Sequence, residues 1–214
     1  VFKPSTEMKR NANYTASVAL DKLFEGAKPF QFDFQTRPFA VGGGLKSFDV
    51  NDEDQYVLTF NLITADNEVA EVVENHVNVS LEGNQAWSHA ADGMSHQLVL
   101  TVKPNRNENL ILSSKADNNL GSNGSSFASV ELPSAEQFAV VSQRCKTGDS
   151  KCIELTFNKN LDTKQNMEGL IFIDGKTTKV AVEGNKALLY ADFYDGERVT
   201  IIANGKVRSL KGNT

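Results

Sequence analysis

The sequence has few residues of the kinds that build reactive or metal-binding centres. Its 214 residues include two cysteines, three histidines and one tryptophan. The two cysteines form neither a CxxC pair nor a Cys/His cluster, which argues against a zinc finger or a thioredoxin-like redox motif. No Ser/His/Asp order, nucleophile elbow or Gly-rich phosphate loop is present. We therefore predict no enzyme activity and no catalytic, cofactor-binding or metal-binding residues.

Positive charge and long apolar runs are also scarce. Lys and Arg number 22 against 27 Asp and Glu, which gives a formal net charge of -5, and the basic residues do not cluster. A phosphate-binding face is not indicated, so nucleic acid is not an expected partner. No apolar run approaches the roughly 20 residues of a membrane-spanning helix. The start, Val1-Phe2-Lys3-Pro4, is typical of a strand end and suggests that the chain was cut from a longer precursor.

Alternation of apolar and polar residues is the dominant pattern that the sequence does contain. Phe30-Gln31-Phe32-Asp33-Phe34-Gln35 alternates throughout, as a half-buried strand should. Similar short runs end in turns such as Glu82-Gly83-Asn84 and Asp174-Gly175-Lys176, whose residues tolerate positive φ. One short helix is expected near Ala65 to Val73. Many short strands with this punctuation predict an all-β protein made of immunoglobulin-like sandwiches.

A repeated phrase predicts how the chain is divided. Leu58-Thr59-Phe60-Asn61 recurs as Leu155-Thr156-Phe157-Asn158, and a strand ending in an acidic residue and Gly follows each copy. The repeat spacing, about one hundred residues, suits one immunoglobulin-like domain. We predict sandwiches at 37–133 and 134–214, separated by Leu132-Pro133-Ser134. Residues 1–36 are interpreted as the terminal strands of a preceding, truncated domain.

Cys145 and Cys152 flank a Gly148-Asp149 turn, which is a good hairpin turn. A two-residue loop there would place them opposite each other, at about 5.5 Å between Cα atoms, and a bulge or a longer loop is the other arrangement of this turn. We therefore predict a hairpin disulfide in an oxidising compartment. A redox or metal pair and two free thiols are the alternatives.

Three other features have both a functional and a structural interpretation. The carboxylate run Asp49–Asp54 resembles a calcium loop but lacks its Gly and its final Glu, so a solvated turn is favoured. His89 and His96 flank a short loop and could hold zinc, yet no third ligand is near, so cross-strand partners are favoured; His76 has no evident partner. Trp87 could stack on a sugar, but a cross-strand anchor is favoured.

The order of these phrases resembles the N-terminal macroglobulin-like domains of bacterial α2-macroglobulins, particularly the Bacteroidota type. The resemblance covers almost the whole chain and rests on pattern more than on a catalytic motif. The matching stretches are Asn13-Tyr14-Thr15-Ala16-Ser17-Val18, Asp21-Lys22-Leu23-Phe24, Phe30 to Thr36, Tyr56 to Asn61, Ala86-Trp87-Ser88-His89, His96-Gln97-Leu98, Glu168-Gly169-Leu170-Ile171 and Val180 to Asn185.

The resemblance implies a protease trap, in which a bait region is cut and, in many members, an internal thioester binds the protease covalently. The thioester signature is Cys, a small or apolar residue, Glu and Gln. Here Cys145 precedes Lys-Thr-Gly and Cys152 precedes Ile-Glu-Leu, so neither fits. The expected role is a non-catalytic scaffold in the cell envelope, either periplasmic or on the surface, from an exported or lipid-anchored parent. Its partners would be other domains of that parent, and proteases bound through regions absent here. The alternative is a pair of modules from a surface adhesin or carbohydrate-binding protein.

Overall fold

The computed structural model describes residues 4–6, 8–22, 24–147, 151–191, 196 and 198–212. The chain is an all-β protein of antiparallel sheets. A two-stranded N-terminal ribbon is followed by a first sandwich and a second sandwich. The strands of the ribbon and the first sandwich are β1 (Asn13–Val18), β2 (Phe30–Gln35), β3 (Val41–Val50), β4 (Tyr56–Thr64), β5 (Val77–Val79), β6 (Asn84–His89), β7 (Ser95–Val102), β8 (Glu108–Asp117) and β9 (Ser122–Leu132).

Within the described residues, one α-helix, α1 (Ala70–His76), connects β4 to β5, and a 3₁₀ turn covers Leu20–Lys22. The helix begins later than the sequence pattern predicted. Only Val73 of its valines is buried, whereas Val69 is exposed at its start. The strands of the second sandwich are β10 (Val140–Lys146), β11 (Cys152–Phe157), β12 (Ile171–Ile173), β13 (Lys176–Thr177), β14 (Lys179–Glu183), β15 (Lys186–Tyr190) and β16 (Ile201–Ala203).

The first sandwich has the strand order of a constant-type immunoglobulin domain. One sheet is ordered β3-β4-β7-β6 and the other β5-β8-β9. Alternation along β4 and β7 turns Leu58, Phe60, Leu98 and Leu100 toward the space between the sheets, where they are fully buried. The tilted rings of Phe48 and Tyr56 lie 4.9 Å apart at one end of this core.

The second sandwich repeats the order of the first four-stranded sheet. Its sheets are β10-β11-β15-β14 and β13-β12-β16. A separate core contains Leu155, Phe157, Ile171 and Leu189. The two copies of Leu-Thr-Phe-Asn fall on β4 and at the end of β11, which occupy the same place in the two sheets.

The N-terminal ribbon is amphipathic and is attached to the first sandwich at its base. Tyr14, Ala16 and Val18 lie opposite Phe34, Phe32 and Phe30 on one face, and Phe30 and Phe32 remain 52% and 45% exposed. Thr15 donates a hydrogen bond to Asp33 on the polar face. Arg10, just before β1, forms a two-pronged ion pair with Glu68, which precedes α1.

Candidate functional site

A group of buried polar side chains lies between the two sandwiches, and we call it the junction. The side chain of Asn158, which is fully buried, occupies its centre. Its amide nitrogen donates hydrogen bonds to the Tyr56 hydroxyl at 2.9 Å and to the Gln137 carbonyl at 2.8 Å. Its amide oxygen accepts one from the Ala139 N–H at 2.8 Å. One residue therefore connects the core of the first sandwich, the linker and β11.

Tyr56 contributes the first sandwich's half of this contact. Its ring is buried beside Phe48, and its hydroxyl donates to the Pro133 carbonyl at 3.0 Å. Burial raises the pKa of the Tyr56 phenol, against a smaller lowering by the bond from Asn158. The hydroxyl therefore stays protonated at neutral pH and acts as donor and acceptor at once.

The linker between the sandwiches is hydrogen-bonded to the β7–β8 loop of the first sandwich. The Ser134 hydroxyl donates to the Asn105 carbonyl at 3.0 Å, and the Ser134 N–H donates to the Asn107 side chain at 2.9 Å. The Ala135 N–H donates to the Pro104 carbonyl at 2.8 Å. Such a segment loses the independent mobility of a flexible linker, because its backbone groups are bonded to a folded domain.

Two further asparagines of the second sandwich reach the backbone of β3. Asn185 is buried and donates to the Phe48 carbonyl at 3.4 Å and the Phe157 carbonyl at 2.8 Å. Asn160 donates to the Val50 carbonyl at 3.4 Å. These side chains come from the loops that follow β11 and β14, at one end of the second sandwich, and Arg144 of β10 adds a contact to the Lys46 carbonyl at 3.4 Å.

The carboxylate run Asp49–Asp54 belongs to the junction. Asp49 forms an ion pair with Lys186 at 2.7 Å, and Asp54 forms one with Lys211 at 2.6 Å. Asn51 forms the turn itself, since its side-chain oxygen accepts from the N–H groups of Glu53 and Gln55. The expectation of a turn is confirmed, but two of its carboxylates face lysines of the second sandwich.

The predicted Cys145–Cys152 disulfide is wrong for this structure, in which both cysteines are free. The pairing of β10 with β11 sets Cys145 opposite Ile153 and Lys146 opposite Cys152. Adjacent residues of a strand point to opposite faces, so the two sulfur atoms lie on different sides of the sheet. The opposed geometry required a two-residue loop, whereas the register leaves five residues, 147–151, between the last paired positions.

We expect the two thiols to differ in reactivity. Cys145 is exposed and Cys152 is buried, so a thiol-alkylating reagent should add one group to the native protein without reductant and two after unfolding. Intact mass spectrometry distinguishes these states. Addition of no group to the unfolded, unreduced protein would contradict the assignment.

The histidines and Trp87 lie at the other end of the first sandwich. His89 and His96 are directly opposite each other on β6 and β7, as expected of cross-strand partners. His76 bonds to Asp117 at 3.1 Å and to the Val72 carbonyl. Trp87 is half-buried against the first core and stacks on His89, with ring centroids 6.0 Å apart.

Metal-binding clusters and membrane-spanning helices are both absent from the described part of the chain. Within it, no three His, Cys, Asp or Glu side chains converge on a point where a metal ion could bind. No helix among the same residues has the length and apolar character to cross a membrane.

Asn158 is the functional residue that sequence reasoning missed. Its only signal was its place as the last letter of the repeated phrase. The equivalent Asn61 is exposed, however, so the repeat alone does not distinguish the two.

Comparison of the chain with protein-family models, curated proteins and solved structures found no match.

Proposed function

We propose that this chain is a non-catalytic scaffold segment of a bacterial α2-macroglobulin-like protease trap. In this proposal the bait and thioester regions are carried elsewhere in an exported, envelope-located parent. The sandwiches of this segment hold those regions in a fixed arrangement. The proteases are bound outside this segment, and its own partners are neighbouring domains.

The junction is the observation that carries the proposal. A trap must convert a cut in one region into movement of others, and only domains with a defined relative orientation transmit such a movement. Asn158, Asn185 and the Lys186–Asp49 ion pair join the two sandwiches by side chains rather than by the linker alone. Pairs of modules joined by a mobile linker would have no need of buried polar contacts between them.

The test uses the full-length protein that carries this segment. A trap blocks cleavage of a large protein substrate by a bound protease but leaves cleavage of a small peptide substrate intact. We expect this selective block in the wild type. We expect it to weaken at least tenfold in the Asn158→Ala variant, because the segment would no longer hold its neighbours in place.

The matched control is Asn61→Ala, at the equivalent but exposed position of the first sandwich. It should block as well as the wild type. A wild-type protein that leaves cleavage of both substrates unchanged would contradict the proposed function. A block that survives Asn158→Ala would instead contradict only the role given to the junction.

A carbohydrate-binding module is a second candidate, favoured by the aromatic face of the ribbon. Phe30, Phe32 and Phe34 follow one another with ring centroids 5.7 Å and 5.9 Å apart. Nuclear magnetic resonance titration with envelope oligosaccharides separates the candidates. Saturable shifts confined to this face would favour the module, and unchanged spectra would favour the scaffold.

A further inference from the structure

Four side chains, from α1, β4, β6 and β7, form a continuous hydrogen-bonded row at the end of the first sandwich nearest the ribbon. Glu74 of α1 bonds to His89 Nε2 at 2.9 Å, and His89 Nδ1 faces His96 Nδ1 at 2.9 Å. His96 Nε2 is 3.2 Å from the Thr64 hydroxyl at the end of β4. The row therefore joins α1 to the β6–β7 hairpin and to the neighbouring β4.

The two facing nitrogens limit how many protons the row can carry. The carboxylate of Glu74 only accepts, so His89 Nε2 must carry a proton. With His89 neutral, its Nδ1 accepts from His96, and His96 Nε2 accepts from the Thr64 hydroxyl. With His89 charged, its Nδ1 donates to His96, His96 Nε2 donates to Thr64, and the Thr64 hydroxyl donates to the Asp66 carbonyl at 2.8 Å. Both states keep the row intact.

A second added proton breaks the row. Both Nδ1 atoms would then carry hydrogen at a separation that requires one donor and one acceptor. Two positive rings would also face each other in a partly buried site. His96, which is 4% exposed, cannot turn toward solvent while the hairpin stays in place.

The charged groups that act on the pair come from α1, from the segment just before α1 and from the β6–β7 turn. Glu74 lies on α1, Asp92 lies in the β6–β7 turn, and Glu68 lies before α1 with Arg10 bonded to it. Burial lowers the pKa of His96 and the neighbouring His89 lowers it further, while Asp92 and Glu68 act in the opposite direction. Asp92 and Glu68 therefore offset part of the free-energy cost of protonating His96, but its pKa remains lowered.

We propose that the His89–His96 pair is a proton-operated latch that holds α1 against the β6–β7 hairpin and opens when both rings are protonated. The latch lies beside the ribbon attachment, since Glu68 binds Arg10 and its N–H donates to the Gly93 carbonyl of the same turn at 2.7 Å. Opening in acid therefore loosens the place where the ribbon meets the first sandwich.

The direction of the pH dependence follows from His96. Its pKa in the folded chain is below the ordinary value of about 6.5, so in mild acid the unfolded or opened chain binds more protons than the closed chain. The contribution of His96 to stability is complete above about pH 6.5. It is lost progressively as the pH falls from there toward the folded-state pKa.

Hydrogen–deuterium exchange of the whole chain, corrected for the intrinsic effect of pH on exchange, tests the latch. Peptides covering residues 65–76 and 90–96 should show about a tenfold larger opening constant at pH 5.0 than at pH 7.5. Peptides from the second sandwich should change little. A pH-independent opening constant in both regions would overturn the proposal.

His96→Gln should abolish the pH dependence in these peptides, whatever its effect on their absolute protection. The matched control is His76→Gln. His76 lies on α1, as Glu74 does, but it bonds to Asp117 instead of to the row, so this variant should retain the pH dependence. In the wild type, a coupling between the two Nδ1 nuclei across the hydrogen bond should be present at pH 7.5 and lost in acid. A coupling that is missing at pH 7.5, or a dependence that survives His96→Gln, would refute the latch.

Discussion

Replacing Asn158 with Ala is expected to lower the free energy of unfolding by about 3 to 4 kcal/mol. The amide of Asn158 satisfies the Ala139 N–H, the Gln137 carbonyl and the Tyr56 hydroxyl in a site with no exposed side-chain surface. Alanine leaves these groups without that partner, and each buried group that loses its bond costs about 1 to 3 kcal/mol. Urea denaturation followed by fluorescence measures the loss.

The same variant should change how the two sandwiches unfold. In the wild type the junction couples the two cores, so one cooperative transition is expected. When the coupling is lost, the cores should unfold in two separate steps. Small-angle scattering should also show a wider distribution of overall dimensions.

Asn61→Ala is the control, because Asn61 is the same letter of the repeat on the equivalent strand. It is exposed and accepts one bond, from Gln97 at 3.2 Å. A change within about 0.5 kcal/mol is expected. Equal losses in the two variants would contradict the assignment of the junction to Asn158.

This pair of asparagines shows how far sequence reasoning extends. The Leu-Thr-Phe-Asn phrase correctly indicated two equivalent strands, because alternation and turn residues act over a few neighbouring positions. It could not separate Asn158 from Asn61. The difference is made by Tyr56 and Gln137, which come from distant parts of the chain and meet Asn158 only in the folded structure.

The contacts of the acidic run Asp49–Asp54 and of the two cysteines could not be predicted from the sequence, for related reasons. Asp54 lies in the predicted turn and Asp49 at the end of β3, just before it, but their lysine partners lie more than one hundred residues away. For Cys145 and Cys152, the error was a single position of register. Because side chains alternate between faces, a one-residue shift is enough to turn a pair of opposed residues into residues on different faces.

The second large expected effect concerns the ion pair that attaches the N-terminal ribbon, in which Arg10 binds the buried carboxylate of Glu68. Arg10→Ala is expected to lower the free energy of unfolding by about 2 to 3 kcal/mol. The Glu68 side chain is only 2% exposed, and the two guanidinium N–H groups of Arg10 bind its two oxygens, one of them at 2.8 Å. Removing Arg10 leaves an uncompensated charge in that site. The expected loss is smaller than the roughly 3 to 5 kcal/mol of a fully buried pair because the Arg10 side chain is 27% exposed.

Two further variants make this prediction specific. Arg106 forms an ion pair with Glu108 on the surface, where its side chain is 83% exposed, so Arg106→Ala should leave the urea midpoint unchanged. Replacing Arg10 by Met together with Glu68 by Leu removes the charge along with its partner and should restore much of the lost stability. Limited proteolysis should then cut the ribbon fastest in Arg10→Ala and more slowly in the double variant. If the double variant is as unstable as Arg10→Ala, the cost does not come from the unpaired carboxylate, and the ribbon must be attached by contacts other than this ion pair.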